Sequence, residues 1–157
     1  MSPELEAFLE NEWYGTDSVQ YVSDYSGCTA LHMVADEPVE MVYELMSMMG
    51  DLIHHRDYDG QTALHWVDDT VSCEVMALLT SHLDQRVRSV AGDTALHISC
   101  RNKYIGLPLL KWHEIPNNKG QTPIYWVEGS HIHTLAKLRR LFGTLPAAYI
   151  RLVHTYT

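Results

Sequence analysis

Gly27-Cys-Thr-Ala-Leu-His32 is the stretch that decides the fold, because the chain repeats it at regular intervals. It recurs as Gly60-Gln-Thr-Ala-Leu-His65 and as Gly92-Asp-Thr-Ala-Leu-His97, and a degenerate fourth copy is Gly120-Gln-Thr-Pro-Ile-Tyr125. The successive glycines are 33, 32 and 28 residues apart. A period of this size indicates stacked supersecondary units, each of which needs a neighbour to cover its apolar face.

Each copy of the motif has the chemistry of a turn that leads into a helix. The glycine provides a positive φ or a close backbone approach, and the threonine is a good N-cap before an apolar run. A turn-forming residue stands three positions before every glycine; these four are Asp24, Asp57, Ser89 and Asn117. The motif residues themselves are Gly27, Thr29, His32, Gly60, Thr62, His65, Gly92, Thr94, His97, Gly120 and Thr122.

A second, amphipathic helix is predicted in each unit from apolar residues three and four positions apart. These helices are expected over residues 39–46, 71–79 and 135–142. The third unit contains Gly106 and Pro108, which allow only a short helix that begins near the proline.

The two ends of a stack of units need covers. Residues 2–10 predict one helix with Ser2 as N-cap and Pro3 in the first helical position, where a missing N–H costs nothing. Residues 145–156 predict a closing helix that begins at Pro146.

This pattern closely resembles the ankyrin repeat, over nearly the whole chain. The resemblance implies an all-α ankyrin-repeat solenoid of about four helix-turn-helix repeats with short β-turn tips, in a single domain. The expected segments are a leading half-repeat (1–23), repeats 24–56, 57–88, 89–116 and 117–142, and a capping helix (143–157). The chain departs from the family where Pro38-Val39 and Val71-Ser72 replace the usual Gly-His, and where Asp68 and Glu128 replace a small buried alanine.

Composition and charge exclude several classes of protein. The 157 residues are 46% hydrophobic, enough for a core, and no apolar run is long enough to cross a membrane. The net charge of −9 argues against general nucleic-acid binding. The charge is also uneven, because the first 100 residues carry a balance of −15 and the remainder +6. We therefore expect a soluble protein of the cytoplasm, with the nucleus as a second location.

No motif in the sequence predicts catalysis, a cofactor or a metal. Nucleophile elbows, phosphate loops and dinucleotide fingerprints are absent from it. The pairs His54-His55 and His131-x-His133 have no Cys or carboxylate at a ligand spacing beside them. The odd count of cysteines predicts reduced, buried thiols; these are Cys28, Cys73 and Cys100.

The resemblance implies a partner-binding surface on the turn tips and on the exposed side of each first helix, the concave face. Transferred to this chain, it comprises aromatic, acidic and polar residues, and the acidic ones favour a protein with a basic surface. An alternative reading is that Trp66 and Trp126 pack against neighbouring units. The transferred positions are Tyr25, Ser26, Met33, Asp36, Glu37, Tyr58, Asp59, Trp66, Asp69, Thr70, Ile98, Arg101, Asn102, Lys119, Trp126 and Ser130.

The function expected from this resemblance is non-enzymatic binding that sequesters or inhibits a partner. Small diverged ankyrin proteins resemble virus-encoded relatives of the inhibitor-of-NF-κB family, which implies a Rel-type transcription factor as the partner. A second hypothesis is a cullin ubiquitin-ligase adaptor, because a segment containing Pro146 and Ile150 weakly resembles an F-box-like tail. A structural subunit of a larger assembly is a third. The expected state is a monomer or a weak homo-oligomer.

Overall fold

A computed structural model of the chain describes residues 1–13, 18–101 and 114–123. Within these ranges the secondary structure is helical, without a β-strand, which confirms the all-α class. The chain divides into two compact units, residues 1–84 and residues 85–157. No helix in the described ranges is long and apolar enough to span a membrane. The elements in order are α1 (Pro3–Asn11), η1 (Ala30–Met33), α2 (Val39–Met49), η2 (Gly50–His54), η3 (Ala63–Trp66), α3 (Cys73–His82) and α4 (Ala95–Arg101), where η denotes a 3₁₀ helix.

The N-terminal helix forms as its sequence predicts. Ser2 has extended backbone angles and its hydroxyl accepts the N–H of Leu5, while Pro3 occupies the first turn. The helix buries Leu5, Phe8 and Leu9 and packs against α2. Burial of a side chain of this size contributes about 2 kcal/mol to folding. The helix α1 is therefore a firmly attached part of the first compact unit.

The repeated threonine and histidine form one buried hydrogen-bond unit. In the first copy, Nδ1 of His32 accepts the Thr29 N–H at 3.1 Å and lies 3.0 Å from the Thr29 hydroxyl. Because Nδ1 is an acceptor, the ring proton is on Nε2, which donates to the carbonyl of Gln61 at 3.0 Å. His97 repeats this arrangement with Thr94 and, at 2.8 Å, with the carbonyl of Gln121. The imidazole thus caps its own helix and fixes the next turn.

The second helices of the first two sequence repeats lie close to their predicted positions. The helix α2 starts at Val39, as expected, and extends to Met49. The helix α3 starts at Cys73 rather than at residue 71, because the hydroxyl of Ser72 caps it by accepting the N–H of Val75. The two helices pack against each other. Their apolar faces supply the core of the first unit through Met41, Val42, Leu45, Met46, Met49, Val75, Met76 and Leu79.

The helices that follow Thr29 and Thr62 are single 3₁₀ turns, shorter than the helix that follows Thr94. After Trp66 the backbone becomes extended at Val67. Asp68 is exposed and its carboxylate accepts the N–H of Thr70, which makes a local turn. The first copy has Ala35 at the position of Asp68 and η1 is equally short, so the residue at this position does not set the length of the helix. In the third copy, α4 has seven residues.

Consecutive turns dock on one another through a glycine. The Tyr58 N–H donates to the Ser26 carbonyl at 3.1 Å, and its phenol donates to the Asp24 carbonyl at 2.9 Å. Gly27 has φ +74°, and a Cβ there would lie 2.7 Å from the Tyr58 ring. The missing side chain of Gly27 is therefore the space that the tyrosine occupies.

Several predicted segments lie outside the described residues. They are the second helix of the third unit, near Pro108, the helix expected over 135–142, and the closing helix over 145–156. The helix expected after Thr122 also lies there, while Pro123 itself is described and buried.

The docking at Gly27 predicts an unequal pair of alanine substitutions. We expect Gly27→Ala to destabilise the protein by about 1 kcal/mol more than Gly50→Ala. Both substitutions place a Cβ at a position with positive φ, but only the Cβ at position 27 meets an aromatic ring. Urea unfolding measures both values. In a Tyr58→Ala background the difference should disappear; equal costs in the wild-type background would contradict the docking.

The buried imidazoles predict a specific protonation state. Burial lowers the pKa of His32 and of His97 below the ordinary 6.5. The unfolded chain therefore takes up more protons than the folded chain just below pH 6.5, and these two rings lower stability as the pH falls. We expect ¹⁵N ring shifts to show Nε2–H imidazoles whose neutral fraction at pH about 6.5 exceeds that of an unperturbed histidine. Charged rings, or the Nδ1–H tautomer, would contradict the capping geometry.

Candidate functional site

The turn before η3 is organised by one buried carboxylate. Oδ1 of Asp57 accepts the N–H groups of Asp59 and Gln61, both at 2.9 Å. Its other oxygen, Oδ2, accepts the indole N–H of Trp66 at 2.9 Å. Asp57 is itself buried, so these charge-assisted bonds offset the loss of water around its charge. The sequence identifies Asp57 only as a turn former, because the bond to the indole depends on where η3 places Trp66.

Trp66 is held in position and still faces solvent. Its ring lies edge-on to the buried His32 imidazole, with centroids 5.9 Å apart and planes at 88°. With its N–H bound by Asp57, the indole has a fixed orientation while 38% of the residue stays exposed. Trp66 thus packs against the preceding copy of the motif and remains partly exposed, while its role in partner binding stays a prediction. A preorganised aromatic side chain loses little entropy when a partner covers it.

The preceding copy of the motif presents a second apolar side chain at the same repeat position. Met33 follows Gly27 by the same number of residues as Trp66 follows Gly60, and it is 40% exposed. Since η1 and η3 pack against each other, these side chains lie on adjacent elements of the first compact unit, residues 1–84. Acidic or polar residues that follow them are exposed or half-buried; they are Asp36, Glu37, Asp69 and Thr70. We call these six residues the Met33–Trp66 surface.

Three carboxylates meet at one edge of this surface. Oxygen atoms of Glu12, Asp36 and Glu37 all lie within 4.8 Å of one another. Burial, and then the charge of Glu12 and a hydrogen bond with it, raise the pKa of Glu37 to about 7. Glu37 therefore retains its proton up to near neutral pH. The sequence alone does not predict this contact, because Glu12 lies far from Glu37 along the chain. The two residues meet because the end of α1 approaches the start of α2.

The acidic group can attract a cation by its charge. Among the described residues it is the one place where three possible metal-ligating side chains lie this close together. Two of the three are exposed and the third is half-buried, so the group suits contact with a Lys or Arg side chain of a partner. His54 is exposed and His55 half-buried, and His131 and His133 lie outside the described residues.

Of the three cysteines, Cys28 and Cys100 are buried as expected. The expectation is wrong for Cys73, which is exposed because it stands in the first turn of α3, on the side that faces solvent. Burial raises the pKa of the Cys28 thiol, which makes it a poor nucleophile.

In the second unit the corresponding surface carries positive charge. Arg101 donates to Oδ2 of Asp93 at 2.9 Å, and Asn117 Nδ2 donates to Oδ1 of the same carboxylate at 3.0 Å. Asp93 is buried, whereas Arg101 and Lys119 are exposed. These residues line a cleft of about 400 Å³. Ile98, at the repeat position of Trp66, is half-buried.

The remaining predicted site residues fall into three groups. Tyr25 and Asp59 are exposed turn residues and Ser26 is half-buried. Tyr58 is 66% exposed, but its phenol and its N–H are both engaged by the preceding turn, so it has a structural task. Positions outside the described residues are Asn102, Trp126, Ser130, Pro146 and Ile150.

No protein-family model matches this chain, and no curated protein matches it in sequence.

The raised pKa of Glu37 predicts a stabilising substitution. Because the folded pKa of about 7 lies above the ordinary 4.5, the folded chain holds an extra proton between these values, and this group makes the protein less stable as the pH rises through 7. We expect Glu37→Gln to raise the melting temperature at pH about 8 by roughly 2 °C, allowing for solvent screening. Glu40→Gln removes an equal charge from the first turn of α2, outside the cluster, and should give no increase. Equal increases in melting temperature would contradict the raised pKa of Glu37.

Proposed function

We propose that the repeated units are ankyrin repeats, four in number, and that the chain is a non-enzymatic binding protein. Three observations support the assignment. The Thr–His pair caps a helix in each of the three described copies. In two copies the same histidine reaches the carbonyl of a glutamine 29 or 24 residues later. Consecutive turns also dock on each other within each compact unit.

The partner contacts the Met33–Trp66 surface. The observation that carries this proposal is the state of Trp66, an indole that is locked by a buried carboxylate and a buried imidazole and yet remains exposed. A tryptophan in this state is a suitable centre for an interface, where one such residue contributes about 2 kcal/mol or more. Met33 beside it offers an adaptable apolar contact.

The charge around this surface selects a basic partner. Asp36, Glu37 and Asp69 flank the two apolar side chains, and Glu12 adds a further carboxylate at the edge. Complementary charge accelerates encounter and discriminates against acidic proteins. A Rel-type transcription factor, whose DNA-binding surface is basic, is the partner class that the sequence resemblance suggests. Binding that covers such a surface would inhibit the factor without any catalytic step.

The test is direct titration of the full chain with a purified Rel-type DNA-binding region, followed by calorimetry. We expect Trp66→Ala to weaken binding by about thirtyfold. Trp66→Phe keeps a ring but loses the bond to Asp57, and it should fall between the alanine variant and wild type. Tyr43→Ala is the matched control, because Tyr43 is an exposed aromatic on α2 that is not one of the six residues of the surface, and the variant should bind as wild type does.

Salt and circular dichroism complete the test. Affinity should fall as ionic strength rises, since exposed charges are screened, and all variants should remain equally helical. Equal binding by wild type and Trp66→Ala would refute the assigned surface. Absence of any binding to a Rel-type region would refute that partner class.

A further inference from the structure

The second compact unit, residues 85–157, contains a polar cleft of about 400 Å³. A cleft of this size can hold a group larger than a simple ion. Asp93 and Asn117 are buried in it, whereas Ala91 and Lys119 are exposed, so the cleft opens to solvent. The residues that line it are Ala91, Asp93, Arg101, Asn117, Lys119 and Gln121.

The side-chain acceptors of this cleft are already engaged by donors of the same unit. The two oxygens of Asp93 accept from Asn117 Nδ2 at 3.0 Å and from the guanidinium of Arg101 at 2.9 Å. Oδ1 of Asn117 accepts the N–H groups of Lys119 and Gln121, both at 3.0 Å. Oε1 of Gln121 accepts from Asn117 Nδ2 at 3.3 Å. A ligand that brings donors, such as an amine, therefore finds each of these oxygens occupied.

The donors of the cleft, by contrast, are only partly used. Nε2 of Gln121 and the ammonium of Lys119 have no hydrogen-bond partner within the part of the chain that the structure describes. A primary amide offers two N–H donors and an ammonium offers three. The Arg101 side chain is bonded to Asp93 and still 39% exposed. The cleft therefore suits a ligand that brings hydrogen-bond acceptors.

The charge of the lining residues narrows the choice of ligand. Arg101 and Lys119 are positive and Asp93 is negative, which leaves a balance of one positive charge. A carboxylate carries one negative charge and two acceptor oxygens, so it neutralises this balance. A phosphate group carries about −1.5 to −2 at pH 7, and it would leave negative charge close to the buried Asp93. The lining thus favours a carboxylate over a phosphate.

We propose that this cleft binds the carboxylate of a Glu or Asp side chain of a partner protein. One carboxylate oxygen accepts Nε2 of Gln121, and the other contacts the ammonium of Lys119. Arg101 adds positive charge while Asp93 holds it in place. Because the cleft opens to solvent, the polypeptide that carries the acidic side chain continues outside it.

This site is separate from the Met33–Trp66 surface and takes a ligand of the opposite charge. Its residues all belong to the second compact unit, whereas the Met33–Trp66 surface belongs to the first. The proposal goes beyond the function given above and does not depend on a Rel-type partner. Trp66→Ala should therefore leave binding at this cleft unchanged.

The test is a titration of the full ¹⁵N-labelled chain with the peptide acetyl-Gly-Glu-Gly-amide, followed by NMR. We expect saturable shifts of the Gln121 side-chain amide and of the Lys119 N–H, with a Kd in the millimolar range that rises with salt. The peptide with Gln in place of Glu should bind at least tenfold more weakly. Equal binding of these two peptides, or no saturable shift, would overturn the proposal.

Two further ligands identify the source of the carboxylate. Free acetate should bind at least tenfold more weakly than the glutamate peptide, because it lacks the flanking chain. Equal binding of acetate would overturn the assignment to a protein side chain. The peptide with phosphoserine in place of Glu should bind no more tightly than the glutamate peptide, and tighter binding would replace the carboxylate with a phosphate.

Three variants locate the binding to the cleft. Lys119→Gln should weaken binding of the glutamate peptide by about fivefold. Gln121→Glu keeps the oxygen that accepts from Asn117 but replaces Nε2 with a negative charge, so binding should fall more than tenfold. Arg86→Gln is the matched control, because it removes one exposed positive charge from the same unit outside the cleft.

The control variant should bind the peptide as wild type does, and circular dichroism should show the same helix content in all of them. An equal loss of binding in Arg86→Gln and Lys119→Gln would show attraction to the overall charge of the unit and would refute the site. Unchanged binding in a folded Gln121→Glu variant would refute it as well.

Discussion

A neutral imidazole that bonds in two directions is the interaction on which the repeated units depend. His32 and His97 each accept the N–H of their own N-cap threonine and donate to a carbonyl of the following turn. Both rings are buried, so water cannot replace either partner when the ring is lost or charged. Because the two ring nitrogens have a fixed separation and direction, the imidazole sets the position of each turn relative to the helix before it. The docked turns add their own main-chain bonds to that placement.

The periodic features of the fold were predictable from the sequence, and the contacts between distant residues were not. Ser2 and the threonines cap helices, and α2 starts at Val39, because these depend on local hydrogen bonding and spacing. The 3₁₀ form of η1 and η3 was not predictable, because the same Thr-Ala-Leu-His sequence also begins the longer helix α4. The meeting of Glu12 with Glu37 has no periodic signal at all. Of the candidate site, residue types and exposure were predictable, whereas the locking of Trp66 required the structure.

The first residue of a turn has different partners in the two compact units. In the first unit it is Asp57, whose free oxygen accepts an indole N–H and leaves Trp66 among acidic residues. In the second unit it is Asn117, which holds its turn in the same way but donates through Nδ2 to Asp93. That carboxylate in turn holds Arg101. Exchanging an acceptor for a donor at this position therefore accompanies an aromatic, acidic surface in one unit and a basic cleft in the other.

The docked turns also bear on how far such a chain can drift in sequence during evolution. The bonds from Tyr58 to Ser26 and from Asn118 to Ala91 join main-chain atoms, so they survive almost any exchange of side chain. Both a phenol and a carboxamide occur at the covering position, and each donates to a carbonyl of the preceding turn. Proline is excluded there, because it has no N–H to donate. The sequence of such a protein can thus change widely while the architecture is kept, provided that the glycines of the turns remain and that no proline enters the covering position.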